Sequence, residues 1–347
     1  MIPHNDADEP LAHGGELSAA RRLFPGAPEP FIDLSTGINP NPYPLPQLPA
    51  ELFARLPDSA SIATLAAVAA HTYGAPSAEY VVVAPGTQIL LPLVAALVRP
   101  GRAAVLAPTY SEHRRAAALA GHKVDEVCDF GTGSDAAVAG ASLAIVAHPN
   151  NPDGRLFRRD DLIAVAKKLQ PRGGVLVVDE AFMDVGPPGA SLVTAISRGN
   201  IVVLRSFGKF FGLAGMRLGF ALAAPALAAR LAAMLGPWAV SGPAAAVGAK
   251  ALADTAWIGR TQTQLAQASQ RLDAMLTASA LDFVGGTTLF RLVRTPAAKE
   301  LFHHLGRAGI LVRMFADNAT WLRFGLPARE DDWRRLQIAM DAFGAGG

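Results

Sequence analysis

The sequence contains one cysteine, Cys128, among 347 residues, so no internal disulfide can form. No activating pattern flanks this cysteine, and we interpret it as an incidental or buried thiol rather than a catalytic one. Residues 1–16 are too polar and too acidic for a secretory signal peptide. We therefore expect a protein of the reducing cytoplasm.

Long uninterrupted hydrophobic runs are also missing. The most apolar stretch, residues 80–98, is broken by Pro85, Gly86, Gln88 and Pro92, so we expect no transmembrane helix. Charge of one sign is not in excess either, because 31 Lys and Arg balance 29 Asp and Glu to a formal net charge of +2. The basic residues are scattered, which argues against a nucleic-acid-binding stripe or a membrane-surface helix.

Several ligand-binding motifs are absent. No Walker phosphate loop or dinucleotide fingerprint follows the first predicted strand, and no set of ligands has the spacing of a zinc site. We therefore expect no nucleotide and no metal. The composition that remains, 51% hydrophobic and 17% charged, is typical of a large globular protein. At usual domain sizes, the length predicts two domains or one large domain with a satellite.

Short apolar runs alternate with helical patterns between about residue 60 and residue 222. The predicted strands are residues 80–83, 103–106, 143–146, 175–178, 201–204 and 218–221. Helical spacing between them is clearest at residues 61–71 and 160–169. Near-continuous apolar strands are typical of a sheet covered on both faces, so the sequence predicts an α/β fold with a mostly parallel sheet.

The two flanks of this region have different patterns. Residues 33–46 are crowded with Pro, Asn and Gly, which predicts an ordered crossing loop. After about Gly236, an Ala-rich helical stretch precedes short predicted strands near residues 288–293, 310–314 and 321–324, the pattern of a smaller α+β domain. We predict an N-terminal arm at 1–40 that belongs to the small domain and an active-site loop, a large domain at 41–235 and a small domain at 236–347.

Lys209 stands in an otherwise apolar, glycine-rich stretch, residues 206–217. An unpaired cation is costly in such surroundings, whereas a desolvated lysine has a lowered pKa and can form a Schiff base with an aldehyde cofactor. Ser206 and Arg217 in the same stretch offer a hydroxyl and a guanidinium to an anion. Taken alone, the motif fits a surface lysine in a flexible loop equally well.

Two polar residues follow other predicted strands, at the sheet edge where α/β proteins bind ligands. Asp179 could hold the protonated nitrogen of a pyridine ring, which turns such a ring into an electron sink. It could also cap a helix or bind a metal. The amide of Asn151 could donate to a phenolic oxygen, or the residue could simply form a turn.

Two further strand ends carry possible contacts for a phosphorylated, planar ligand. Gly86, Thr87 and Gln88 follow a strand and open a predicted helix, whose free backbone N–H groups would receive a phosphate. Tyr110 follows the next strand and could stack on a flat ring or pack beneath a loop. Each signal is weak alone, but all of them occur at strand ends of one sheet.

In this chain order, the residues resemble the fold-type-I pyridoxal-phosphate enzymes, aminotransferase class I/II, over nearly the whole chain. The resemblance implies a large domain with a mostly parallel seven-stranded sheet, a smaller α+β domain, and pyridoxal 5'-phosphate as cofactor. It implies two catalytic residues, Lys209 bonded to the cofactor and Asp179 on its ring nitrogen. The other implied cofactor contacts are Asn151 at the ring hydroxyl, Tyr110 stacked on the ring, and Gly86, Thr87, Gln88, Ser206 and Arg217 at the phosphate.

Within that family, residues 13–15, 33–40, 108–112 and 179–182 most resemble the threonine-phosphate decarboxylases of cobalamin biosynthesis, close relatives of histidinol-phosphate aminotransferase. This resemblance implies a cytoplasmic homodimer that decarboxylates O-phospho-L-threonine to (R)-1-aminopropan-2-yl phosphate. It implies that Arg323 grips the substrate carboxylate. The implied substrate-binding residues are His13, Gly14, Gly37, Asn151, Arg313 and Arg323. His13 could instead be a disordered terminal residue.

Three positions depart from the pattern of the relatives. Phe182 replaces a tyrosine that would donate to the ring oxygen, which predicts a raised pKa of the Schiff base. Gly37 stands where some relatives have asparagine, so only its backbone could contribute. Leu56 replaces a tyrosine that reaches the partner subunit's cofactor phosphate, which leaves the dimer contribution open.

Two alternative functions remain open at this point. Transamination would use the same residues and would differ only in which bond at Cα lies perpendicular to the ring, a placement that the sequence does not display. A non-catalytic binding protein on the same fold is the second alternative. Retention of Lys209, Asp179 and Arg217 argues against it, because loss of the lysine would be its simplest sign.

Overall fold

The computed structural model describes residues 13–131 and 138–345. These residues form two compact units, one of them Pro42–Arg260 and the other the described parts of Met1–Asn41 and Thr261–Gly347. Residues 1–12 of the predicted N-terminal arm lie outside the described residues. The domain bounds predicted from the sequence stay a prediction.

The helices and strands alternate through the first unit and are mixed in the second. The helices are α1 Leu17–Leu23, α2 Glu51–Ala54, α3 Ser59–Tyr73, α4 Thr87–Ala95, α5 Ser111–Leu119, α6 Arg159–Leu169, α7 Phe207–Phe210, α8 Pro225–Leu235, α9 Gly242–Ala253, α10 Thr255–Ala278, α11 Ala298–Arg307 and α12 Glu330–Ala345. The strands are β1 Ile32–Asp33, β2 Val81–Ala84, β3 Arg102–Leu106, β4 Lys123–Val127, β5 Ala141–Ala147, β6 Val175–Asp179, β7 Ile201–Ser206, β8 Gly219–Ala223, β9 Asp282–Thr287, β10 Phe290–Arg294, β11 Ile310–Leu311, β12 Arg313–Phe315 and β13 Asn318–Gly325.

The unit Pro42–Arg260 is built on a seven-stranded sheet of order β2-β8-β7-β6-β5-β3-β4. Strand β8 is antiparallel to both of its neighbours, β2 and β7, and the other pairings are parallel. The fold class predicted from the sequence is therefore confirmed. Each predicted strand of this region is found, and the sheet adds β4, which the apolar pattern missed.

Burial explains why the strands read as continuous apolar runs. Every residue of β6, β7 and β8 is buried, because helices cover both faces of the sheet. Leu90 of α4 and Leu231 of α8 are fully buried in the same core cluster as Val177 and Val202. The helices that follow the strands thus pack against the apolar faces of the sheet. Polar residues lie in the loops at the end of the strands.

The strand directions gather the loops of interest at one edge. Since β8 is antiparallel to both β2 and β7, the ends of those two strands lie beside its start, and Ala84 and Ser206 both pair with Gly219. Asp179 pairs with Ala147 on one side and Leu204 on the other. The carboxyl ends of β2, β3, β5, β6 and β7 therefore meet at one edge, where open α/β sheets bind ligands.

The second unit has a four-stranded antiparallel sheet of order β12-β13-β10-β9 and a short parallel pair, β1 with β11. Helices α11 and α12 belong to this unit, so its α+β character agrees with the sequence prediction. In the part of the chain that the structure describes, no helix is long and apolar enough to cross a membrane.

Candidate active site

A cradle for an anion lies where α4 begins. Gly86 precedes the helix with a left-handed φ of 86°, and a Cβ there would lie 2.8 Å from Nη2 of Arg217. Arg217 itself has a φ of 49° and donates from Nη1 to the Ala214 carbonyl at 3.2 Å. A Cβ on Gly219 would lie 2.8 Å from the Thr87 nitrogen. Glycine at position 86 thus lets the Arg217 guanidinium approach the N-terminus of α4. The guanidinium and the helix N-terminus together attract a phosphate.

Lys209 is held on a single helical turn at the end of β7. Ser206 ends the strand and is 9% exposed, and α7 follows at once with Lys209 as its third residue. The turn is fixed by aromatic packing, since the rings of Phe207 and Phe211 stack with centroids 4.5 Å apart. The Lys209 Nζ lies 5.6 Å from the ring centroid of Phe182. Lys209 is therefore half-buried at the end of β7 beside an aromatic ring, at the sheet edge where a lysine can react with an aldehyde cofactor.

Asp179 is a nearly buried carboxylate, 7% exposed, at the end of β6. Its Oδ1 accepts from the backbone N–H of Ala181 at 3.1 Å, and its Oδ2 lies 2.8 Å from Nε2 of His113. The His113 ring is fully buried, and its Nδ1 has no hydrogen-bond partner among residues 13–131 and 138–345. This contact from Nε2 of His113 orients the carboxylate at the position where a site for a protonated ring nitrogen needs an acceptor.

Sequence reasoning missed His113. The residue lies three positions after Tyr110 on α5, and the two rings meet edge to face with centroids 5.6 Å apart. The available signal was this helical spacing after a strand end, which places both rings on one side of α5. His113 and Asp179 are 66 positions apart in the sequence, so local patterns cannot reveal the contact.

Tyr110 is fixed through its hydroxyl as well as its ring. The hydroxyl donates to Oε1 of Gln88 at 3.0 Å, and Nε2 of Gln88 donates to Glu112 at 2.8 Å. The side chain of Gln88 therefore orients Tyr110. The backbone N–H groups at the start of α4 are the donors that remain for a phosphate at this point.

The two asparagines after β5 have different surroundings. Asn150 is fully buried, donates to the Pro108 carbonyl at 3.0 Å and to Asp153 at 2.8 Å, and accepts from Thr109 at 2.7 Å. Asn151 is half-buried in the same loop. Asn150 thus ties the loop to the end of β3, and Asn151 carries the second amide at the sheet edge.

Two arginines in the second unit concentrate positive charge. Arg313 and Arg323 are direct partners across β12 and β13, and Arg323 is 5% exposed and donates from Nη2 to the Ser35 carbonyl at 2.6 Å. Burial and the charge of Arg313 lower the pKa of Arg323 to about 9, although Asp33 acts in the opposite direction. This excess of buried positive charge favours an anionic ligand.

The remaining predicted substrate residues lie in the same unit. A Cβ on Gly14 would lie 2.5 Å from the Ser35 carbonyl oxygen, so the glycine packs on the same backbone segment that Arg323 binds. Gly37 is buried with a φ of 61°, and His13 is exposed. The structure thus gathers Gly14 and Arg323 around Ser35, with Arg313 opposite Arg323.

The residues at the sheet edge fit an aldehyde cofactor with a ring nitrogen and a phosphate. Each of those groups has one matching contact. Lys209 is half-buried and suits the aldehyde, Asp179 is oriented for the ring nitrogen, and the cradle at Gly86, which a Cβ would fill, suits the phosphate. Within residues 13–131 and 138–345, no group of three or more His, Cys, Asp or Glu side chains could hold a metal ion.

Comparison with known proteins agrees with this chemistry. A threonine-phosphate decarboxylase from a Sinorhizobium species is 42% identical over 95% of this chain and 98% of its own. A threonine-phosphate decarboxylase from Pseudomonas aeruginosa is 42% identical over 96% of this chain and 98% of its own. Among solved structures, histidinol-phosphate aminotransferase from Sinorhizobium meliloti, in complex with pyridoxal-5'-phosphate, has a TM-score of 0.81 at 20% identity and covers 100% of this chain and 98% of its own.

A family-wide sequence profile confirms the family resemblance that the motifs indicated. The sequence profile described as "Aminotransferase class I and II" matches residues 38–338, which include the sheet edge and most of the second unit. The chain belongs to the aminotransferase class I and II family.

Proposed function

We propose that the protein is a pyridoxal-phosphate-dependent decarboxylase that converts O-phospho-L-threonine to (R)-1-aminopropan-2-yl phosphate, a step of cobalamin biosynthesis. The observation that carries this proposal is the 42% identity, over nearly the full chain, to two proteins named threonine-phosphate decarboxylase. The geometry of the sheet edge supports the cofactor, and the paired arginines support a substrate with more than one anionic group.

The bound pyridoxal phosphate supplies an electron sink for the bond that breaks at Cα. Asp179 holds a proton on the ring nitrogen, and His113 keeps that carboxylate in place. The amine of Lys209 would hold the cofactor at its aldehyde group and would move a proton at the substrate Cα. The phosphate is held by the backbone N–H groups of Thr87 and Gln88 and by Arg217, with Gly86 allowing the approach.

Three further residues complete the proposed cofactor contacts. Ser206 adds its hydroxyl to the phosphate, Asn151 donates to the ring hydroxyl, and Tyr110 stacks on the ring in the orientation that Gln88 sets. A stacked aromatic ring and several charge-assisted hydrogen bonds fix the ring plane. That plane decides which bond at Cα breaks.

The substrate contacts follow from charge. O-Phospho-L-threonine carries a carboxylate and a phosphate, and Arg323 binds the carboxylate through a buried guanidinium beside Arg313. Arg313, His13, Gly14 and the backbone of Gly37 contact the substrate phosphate. Binding two anionic groups at fixed positions orients the Cα–carboxylate bond, which is the requirement for decarboxylation.

Transamination is the second candidate, and a similar fold in a histidinol-phosphate aminotransferase keeps it open. Both reactions use Lys209 and Asp179, and they differ in the bond at Cα that is perpendicular to the ring. A non-catalytic protein is disfavoured because Lys209, Asp179 and Arg217 are all present.

We also propose that the protein acts as a homodimer in the cytoplasm. Three large apolar side chains in the segment before α3 are exposed, Leu45 by 62%, Phe53 by 68% and Leu56 by 67%. Large apolar side chains exposed to this degree are costly in water and fit burial by a second copy. Sedimentation velocity should give twice the mass of one chain, and Leu56→Glu with Phe53→Glu should weaken that association. A monomer at micromolar concentration would contradict the proposal.

The test of the reaction is product analysis with cofactor-loaded enzyme, O-phospho-L-threonine and no keto acid. The proposal predicts (R)-1-aminopropan-2-yl phosphate and carbon dioxide over many turnovers, and Lys209→Ala should form neither. A single turnover that yields a phosphorylated keto acid and pyridoxamine phosphate, extended to many turnovers by added keto acid, would identify an aminotransferase instead.

A further inference from the structure

Two of the proposed cofactor residues have charged neighbours on the other face of the sheet. Asp179 is followed by Glu180, and Ser206 is preceded by Arg205, and consecutive side chains of a strand point to opposite faces. The ladder continues past Asp179, because the Glu180 N–H donates to the Leu204 carbonyl at 2.9 Å. The strand ends thus carry cofactor contacts on one face and charges on the other.

Those two charged neighbours are bonded to each other. Arg205 donates from Nη1 to Glu180 at 3.1 Å and from Nη2 to Asp184 at 2.7 Å. The three side chains are 7%, 0% and 11% exposed for Arg205, Glu180 and Asp184. The guanidinium carbon lies 4.3 Å from the centre of the Tyr73 ring. We call Arg205, Glu180 and Asp184 the buried ion cluster.

The buried ion cluster also reaches the neighbouring loop. Glu180 accepts from the Leu192 N–H at 2.7 Å and from the Ser191 hydroxyl at 2.7 Å. One residue earlier, the Ala190 carbonyl lies 3.2 Å from Nε2 of His148, which follows β5 and opens the loop of Asn151. The cluster therefore links β6 directly to β7 and, through residues 190–192, to the end of β5.

The ion pairs of the buried ion cluster are not expected to add much to the stability of the fold. Burial raises the pKa of Glu180, although Arg205 and two other donors act against it. Two carboxylates face one guanidinium in a place where burial disfavours charged groups. Replacing a whole buried ion cluster by apolar side chains of similar size is often neutral for stability, whereas removing one partner is strongly destabilising. Stability alone therefore does not explain the buried ion cluster, and its role is better sought in the placement of the strand ends that it joins.

We propose that the buried ion cluster positions the strand ends that carry Asp179 and Ser206, and so fixes the distance between the ring-nitrogen contact and the phosphate contact of the cofactor. This inference rests on the proposed cofactor roles of those two residues. Glu180, Asp184 and Arg205 touch neither cofactor nor substrate in this account and are positioning residues. Their function is to keep two strands from shifting relative to each other while the front face binds its ligand.

The test compares an apolar replacement of the whole cluster with the wild type. The triple variant Glu180→Leu, Asp184→Leu, Arg205→Met removes every charge at once. We expect its apo form to unfold within a few degrees of the wild type, but its Kd for pyridoxal phosphate to rise at least tenfold. The visible circular dichroism of the bound cofactor should also change, because the ring is held at a different tilt. A wild-type Kd and dichroism in this folded variant would overturn the proposal.

A second variant covers the case in which the triple variant fails to fold. Arg205→Lys keeps the charge but loses the planar fork that reaches both carboxylates. We expect several-fold weaker cofactor binding and an altered dichroism band, and unchanged values for both would overturn the proposal. A matched control is Arg291→Met with Asp273→Leu, which removes a partly buried ion pair of the other unit. This control should leave cofactor affinity unchanged, and an equal loss there would show a non-specific effect.

One more variant distinguishes an error in the positioning proposal from an error in the role assigned to Asp179. Asp179→Asn should weaken cofactor binding and shift the visible band by itself. If Asp179→Asn binds pyridoxal phosphate like the wild type, the assumed role of Asp179 is wrong and the positioning proposal loses its basis. If Asp179→Asn is impaired but the triple variant is not, the site assignment stands and the positioning role is excluded.

Discussion

At the scale of single residues, the state of Asp179 depends on His113. The imidazole is fully buried and 2.8 Å from the carboxylate, so it acts on any ligand of Asp179 through that contact. An unpaired buried polar group costs about 1–3 kcal/mol, which is enough to change the orientation of the carboxylate.

The first prediction compares His113→Leu with His113→Gln. Leucine removes the donor to Asp179, whereas the glutamine amide can replace Nε2–H. We expect at least a tenfold weaker affinity for pyridoxal phosphate and a lower kcat in the leucine variant, with much of both recovered in the glutamine variant. Affinity is measured by titrating the visible absorbance. Equal behaviour of the two variants would show that the hydrogen bond has no functional part.

The second prediction uses two glycines with similar φ but different surroundings. Gly86→Ala would place a Cβ 2.8 Å from Nη2 of Arg217, whereas Gly74→Ala meets nothing within 4 Å, although their φ values are 86° and 78°. Each substitution should destabilise the fold by roughly 1–2 kcal/mol through backbone strain. Only Gly86→Ala should also weaken cofactor binding, by tenfold or more. Similar cofactor affinity in both variants would contradict the phosphate cradle.

At the scale of elements, the loop after β5 depends on a neutral histidine. His148 accepts at Nδ1 from the Phe157 N–H at 3.2 Å and donates from Nε2 to the Ala190 carbonyl at 3.2 Å. Burial lowers the pKa of His148, and the hydrogen bond to Ala190 opposes this only in part. Protonation at Nδ1 would remove the acceptor for the Phe157 N–H. The loop that carries Asn151 should therefore lose this hydrogen bond at low pH.

The third prediction follows from the direction of that pKa shift. The unfolded chain takes up this proton near pH 6.5 and the folded chain only at lower pH, so this contribution to stability is complete above about pH 6.5 and is lost as pH falls through the lowered pKa. Urea unfolding at pH 7.5, 6.5 and 5.5 should show a smaller pH dependence for His148→Gln than for the wild type. Identical slopes would contradict this assignment.

The sheet strands that the sequence predicted are those made mostly of buried apolar residues. Strands β5 to β8 consist largely of such residues and were found where expected. Strand β4 was missed because it is an edge strand with Lys, Asp and Glu at three of its five positions, and a half-exposed strand needs no apolar run. In the second unit β9 was missed for a related reason, since none of its residues is buried and it contains two glycines.

At the scale of the whole molecule, parallel strands explain why so many site residues could be predicted. Residues just after apolar runs share one sheet edge, so Gly86, Tyr110, Asn151, Asp179 and Lys209 could be grouped before any contact was known. Contacts between distant segments could not be predicted in this way. Examples are the bond from His113 to Asp179 and the bond from Arg205 to Glu180, which depend on which strands are neighbours.

The most direct measurement of the central claim is the site at which the cofactor attaches. The enzyme loaded with pyridoxal phosphate is reduced with borohydride, digested and mapped by mass spectrometry. The account predicts a single pyridoxyl adduct on Lys209, with close to one adduct per chain and none at that site in Lys209→Ala. An adduct on another lysine, or none in an active enzyme, would contradict the placement of the active site at this edge of the sheet.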